Sequence, residues 1–192
     1  MAEIRSIAVI GAGAIGRGIA HASALGGYRT ILEDILPGSL RTAAAEMQEY
    51  LARAVAVGTV SKADADAALE RLEFAGTVDQ AARAADLVLE CVPDEMESKL
   101  EIFTLLDKIC KPATILVSNT SALSVTEIAS VTYRAKQILG MRFMHPVYAM
   151  KQVEIVRGQA TDDETFAACA DVARRMGMGM EVVMVEDHLY SQ

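Results

Sequence analysis

The chain has 192 residues, 52% of them hydrophobic, enough to bury the core of one α/β domain but not of two large ones. Its 18 Lys and Arg stand against 26 Asp and Glu, a formal charge of -8, which would repel a phosphate backbone and argues against a nucleic-acid partner. The apolar runs are short and broken, and Met1-Ala2-Glu3-Ile4-Arg5 lacks the apolar core of an export signal, so the expectation is a cytoplasmic protein with no membrane span.

Short β-branched runs alternate with longer Ala-rich stretches of helical period, the pattern of βαβ units around a parallel sheet. In chain order the sequence predicts a strand over 6–10, a helix over 15–25, a strand over 29–34, helices over 39–57 and 62–70, strands over 73–75 and 87–92, and a helix over 95–109. A strand over 114–118, a helix over 125–130, strands over 138–143 and 153–156, a helix over 162–176 and a strand over 181–185 complete the series. Ser61 ahead of Asp64, and Thr161 ahead of Asp163 and Glu164, read as helix caps. With no repeat, low-complexity linker or charge block, the predicted fold is a Rossmann-type doubly wound α/β domain over 1–186. Its sheet is mostly parallel with helices on both faces, and residues 187–192 form a short tail.

Gly11, Gly13 and Gly16 make G-x-G-x-x-G directly after the apolar run Ile7-Ala8-Val9-Ile10 and directly before a helical stretch. Gly11 permits the tight strand-to-helix turn, Gly13 lets backbone approach a pyrophosphate, and Gly16 lets the helix pack on the strand. With Ala12 also in the cofactor-binding turn, backbone N–H groups and the helix dipole at Ala14 and Ile15 then face the diphosphate. Asp34, 18 residues past Gly16, ends the second strand where an acid would accept both adenosine ribose hydroxyls and repel a 2′-phosphate. The pattern predicts NAD rather than NADP.

Further on, Ala85 to Pro93 leads into Asp94-Glu95-Met96-Glu97-Ser98-Lys99, an acid-rich helix start with a lysine one turn in, at the C-terminal edge of a central strand. Val117-Ser118-Asn119-Thr120-Ser121 leaves another strand in a run of small polar groups. Cys91, Cys110 and Cys169 are odd in number, widely spaced and outside any C-x-x-C or Cys/His cluster, which predicts buried reduced thiols and no metal site.

Gly11 to Gly18, Ala85 to Pro93, Ser118-Asn119-Thr120-Ser121 and Met150 to Val156 together resemble the 3-hydroxyacyl-CoA dehydrogenase family, in its N-terminal NAD-binding domain, over essentially the whole chain. The resemblance implies oxidation of a 3-hydroxyacyl-CoA to the 3-ketoacyl-CoA in fatty-acid metabolism, with hydride passing to NAD. It further implies that Asp34 holds the adenosine ribose, that Asp94 (usually Glu) and Lys99 line the cofactor site, and that Ser121 lies near both nicotinamide and substrate oxygen.

Three departures qualify that expectation. The family's catalytic histidine stands twelve residues before the glutamate that orients it, in H-F-F-N-P; here the motif reads Arg142-Phe143-Met144-His145-Pro146, so Arg142 stands twelve before Glu154 and His145 takes the asparagine position. Arginine stays protonated near neutral pH, so Arg142 either polarises a substrate carbonyl or simply pairs with Glu154, while His145 either turns inward as the base or is structural. The helix after the second strand offers only Arg53 between Met47 and Gly58 where the family presents lysines to coenzyme A. That leaves open a small hydroxy acid or sugar acid as substrate. The family's C-terminal helical domain, which covers the substrate and forms the dimer, has no counterpart here, which implies a homo-oligomer or a partner that supplies it. The ten methionines, four of them within 176–184, suit either such an interface or an ordinary core. Two other readings remain beside the enzyme: a non-catalytic NAD-binding protein, and an interaction module of the same fold.

Overall fold

The computed structural model describes residues 3–178 and 185–186. β1 (Ser6–Ile10) is buried throughout, with Ile7 and Val9 facing one helical layer and Ala8 and Ile10 the other. A continuous apolar run therefore marks a strand covered on both faces rather than a half-exposed one. β2 (Arg29–Glu33), β3 (Leu72–Ala75), β4 (Leu87–Glu90), β5 (Ile115–Ser118) and β6 (Ile138–Phe143) all run parallel to it, in the spatial order β3-β2-β1-β4-β5-β6. β7 (Val153–Arg157) turns antiparallel against β6, and β8 (Val185–Glu186) pairs parallel with β7. The order reverses between β1 and β4, and a crevice opens there beyond the strands' C-terminal ends, where sheets of this kind take ligands.

α1 (Ala14–Leu25), α2 (Pro37–Ala56), α7 (Val147–Met150) and α8 (Asp163–Arg175) pack on the Ile7/Val9 face. α4 (Val78–Ala82), α5 (Met96–Ile109) and α6 (Val125–Ser130) cover the other face. α3 (Lys62–Glu70) closes a smaller cluster with Ala24 and Leu51. The doubly wound, mostly parallel arrangement matches the sequence expectation.

The differences are local and have physical reasons. α2 starts at Pro37 rather than 39, because Pro lacks an N–H that the first helical position would leave unpaired anyway. α4, α7 and a 3-10 turn at Ala135–Gln137 are unforeseen; each is too short to show a period in sequence. The Ser61 cap forms, its hydroxyl accepting from Asp64 N at 3.0 Å. The cap of α8 is Asp162, whose Oδ1 accepts from Thr165 N at 2.8 Å; Thr161, expected in that role, instead donates its hydroxyl to Ile138 O and fastens the loop to β6. Cys110 and Cys169 are buried, whereas Cys91 is only half-buried, at the mouth of the crevice. Met176 and Met178 lie in the core. Met180, Met184, most of the expected strand over 181–185 and the tail 187–192 fall outside the described residues. No helix of the described residues is long and apolar enough to cross a membrane.

Candidate active site

β1 is followed by Gly11, whose φ of +101° suits glycine alone, and whose N–H donates to Glu33 O at 2.9 Å. A Cβ on Gly11 would stand 2.9 Å from Cys91 O, and one on Gly16 only 1.9 Å from Gly11 O. Both glycines are therefore required by packing. Gly13 differs: it has an ordinary extended backbone, and a Cβ there would meet nothing within 4 Å. What glycine leaves free at position 13 is space in front of the α1 N-terminus, which has no side-chain cap. Uncapped N–H groups facing open space suit a diphosphate.

Asp34 stands one residue past β2. Its Oδ2 accepts from Ala12 N at 2.9 Å and its Oδ1 from Leu36 N at 2.8 Å. Each oxygen keeps a further lone pair, so the carboxylate is fastened to the glycine turn and can still take a ribose hydroxyl on each oxygen.

A cavity of about 550 Å³ brings together Gly13–Gly16, the segment from Cys91 to Asp94, Asn119 to Ser121, and Arg142 to His145. Ser121 donates through both N (3.0 Å) and Oγ (2.8 Å) to Asp94 Oδ2. Against the opposing pull of burial, these bonds and that of Thr120 hold the Asp94 carboxyl below its ordinary range. Although the residue as a whole is half-buried, desolvation around its sulfur, and next the charge of Glu90, push the Cys91 thiol above its ordinary range.

Lys99, expected to line the site, is fully buried beneath it. Its Nζ donates to both oxygens of Glu90 (2.9 Å each) and to Asn119 O (3.2 Å), and lies 3.7 Å from Asp94. Glu90 is the residue that sequence reasoning missed, while Asn119 was singled out only as one of a run of small polar groups. A charged residue closing the otherwise apolar strand Leu87-Val88-Leu89 was the available signal for Glu90, because a carboxylate there must be paired.

Arg142 and Glu154 face each other across the antiparallel β6–β7 ladder, Nη1 to Oε2 at 3.3 Å, both partly exposed. His145 is exposed at the rim, where it lines this cavity and also a second one of about 430 Å³ between α1, α2 and α7. Arg53 lines the second cavity, as does Arg17, but Glu46 pairs with Arg17 at 2.8 Å and Glu49 lies 3.7 Å from Arg53. Its wall also carries His21, which burial drives down to about 4 and so keeps neutral, stacked edge-on against Tyr50 with ring centroids 4.4 Å apart.

A family profile described as "3-hydroxyacyl-CoA dehydrogenase, NAD binding domain" matches residues 6–188. A probable 3-hydroxybutyryl-CoA dehydrogenase of Bacillus subtilis is 39% identical over 91% of this chain and 61% of its own length. The 3-hydroxybutyryl-CoA dehydrogenase of Bradyrhizobium diazoefficiens is 38% identical over 97% of this chain and 62% of its own. Among solved structures, a 3-hydroxybutyryl-CoA dehydrogenase from Escherichia coli superimposes with a TM-score of 0.91 at 31% identity, over 97% of this chain and 39% of that one. The chain thus spans about three fifths of the length of the curated relatives it matches.

Proposed function

Since the chain belongs to the 3-hydroxyacyl-CoA dehydrogenase family, in its NAD-binding domain, we propose that it carries out the NAD-dependent oxidation of a 3-hydroxyacyl-CoA to the 3-ketoacyl-CoA. The observation that carries this reading is the 550 Å³ cavity, in which the glycine turn, Ser121, Arg142 and His145 meet. The residues present fit NAD: Gly13 leaves open the approach to the α1 N-terminus, and Asp34 is anchored with acceptor capacity to spare. When bound, NAD supplies the hydride acceptor.

The chain's own residues have the following parts. Asp34 holds the adenosine ribose and disfavours a 2′-phosphate by like charge. Ser121, aimed through Asp94, contacts the nicotinamide and the substrate oxygen. His145 takes the hydroxyl proton, because a neutral imidazole is a base in the physiological range and Arg142 is not. Arg142, partly neutralised by Glu154, polarises the developing carbonyl. The acyl-CoA occupies the second cavity, and a second copy of the chain or a partner domain covers it.

The test is NADH oxidation with acetoacetyl-CoA by the intact protein at high and low concentration. Turnover at either concentration supports the reading, and none under any assembly state overturns it. Free hydroxy acids as substrates separate the small-acid alternative, which the paired arginines of the second cavity favour. A non-catalytic NAD-binding role is favoured by the Arg142–Glu154 pair. It gains if Arg142→His creates activity where the unaltered protein has none.

A further inference from the structure

Glu90 and Lys99 are a fully buried ion pair that belongs to neither the glycine turn nor the set of groups facing the cavity. Lys99 spends all three of its donors on Glu90 Oε1, Glu90 Oε2 and Asn119 O. Glu90 is equally saturated. Oε1 accepts from Val92 N at 2.7 Å and from Lys99, and Oε2 accepts from Lys99 and from Ser118 Oγ at 2.7 Å. A saturated network has one low-energy arrangement and resists distortion.

This network reaches three of the segments that wall the cavity. Val92 N pins the start of the first segment to the Glu90 carboxylate, and the Lys99 ammonium faces Asp94 within it. The second segment is held at Asn119, through its carbonyl by Lys99 and through its N–H by Glu90 O at 2.8 Å. Asp94 then fixes Ser121. The third segment is reached through the same asparagine, whose Oδ1 accepts from Phe143 N at 3.2 Å. By contrast, the adenosine side is held by the Ala12–Asp34 bond, which shares no atom with the network.

We propose that Glu90 is a positioning residue for the nicotinamide end of the cofactor: through Lys99 and Asn119 it sets the mutual placement of Asp94, Ser121 and the Arg142–His145 segment. This rests on reading the 550 Å³ cavity as the cofactor site. Stability alone does not require the pair, since a buried ion pair replaced by apolar groups of similar volume is often no less stable.

The experiment compares two ligands on the intact protein: NADH, followed by its fluorescence, and ADP-ribose, which lacks the nicotinamide, followed by calorimetry. Glu90→Gln should weaken NADH about tenfold or more, the worth of one lost hydrogen bond, and leave ADP-ribose essentially unaltered. Hydrogen exchange at the Ser121 and Phe143 amides should quicken in the cofactor-free variant. The neutral pair Glu90→Gln/Lys99→Met gives the same selective loss where the single variant fails to fold, and Ser118→Ala gives it in weaker form. Equal weakening of both ligands, or none of either, overturns the positioning role and leaves the cofactor reading standing. Failure of the unaltered protein to bind either ligand overturns both.

Discussion

Substituting alanine at Gly13 and at Gly16 separates the two demands made on the phosphate turn. At Gly16 the new methyl would lie 1.9 Å from Gly11 O, so backbone must move by about 1.5 Å to reach ordinary contact, an overpacking that costs on the order of 1–3 kcal/mol or more. For a domain of this size that is a fall in Tm of roughly 2–4 °C per kcal/mol. At Gly13 the methyl meets nothing within 4 Å and the backbone is ordinary for any residue. Stability should hold or rise by about 0.4–1 kcal/mol through the less flexible unfolded chain, while the methyl stands where the diphosphate must approach. Thermal melts paired with NADH titration read both quantities. Gly13→Ala should melt at or above the parent temperature and bind NADH at least about tenfold more weakly, a loss of ~1.4 kcal/mol; Gly16→Ala should lose stability first. A Gly13→Ala protein that binds NADH normally, or that melts as early as Gly16→Ala, refutes the assignment of that open space to the cofactor.

Asp34→Asn removes the charge that repels a 2′-phosphate, so the ratio of NADPH to NADH affinity should rise about tenfold, and an unchanged ratio would show that another group sets the preference. His145→Gln should lower kcat by about 10²–10⁴ with NADH affinity unaffected; a fully active variant would transfer the base to a different residue. Burial, and next the charge of Asp34, raise Glu33 from 4.5 to about 7. The folded protein therefore keeps a proton that the unfolded chain has already released, and stability declines as pH rises through that window. Glu33→Gln should be the more stable protein above pH 7, by at most about 3 kcal/mol. That advantage should vanish below pH 4.5, and a pH-independent difference in Tm would contradict the burial argument.

The sheet and the dinucleotide turn were legible because each rests on local pattern. Ile7 to Ile10 is apolar without a break, and the glycine spacing directly between that run and a helical stretch marks the turn. The position of Asp34 beside the glycine turn was legible because it depends only on where β2 ends. The role of Lys99 was not, since its partners Glu90, Asp94 and Asn119 are brought in from two neighbouring strands and their loops, and sequence spacing says nothing of depth. The cap at Asp162 was displaced by one residue because Thr161 and Asp162 are both competent caps, and the choice falls to the tertiary bond from Thr161 to Ile138 O. The ion pairing of Arg17 with Glu46 was likewise beyond sequence, since it depends on how α1 and α2 pack.

The reversal of direction at β7 gives position 142 an unusual freedom. The backbone ladder alone sets residue 142 opposite Glu154, and directly opposed side chains on antiparallel strands lie close enough to interact. The carboxylate is thus a constant of the scaffold, and the group facing it is an exchangeable part. An arginine placed there meets the carboxylate as an ion pair, and an imidazole placed there would meet it as a hydrogen-bonding ring. The exchange changes one side chain at a partly exposed position and leaves the strand register as it is.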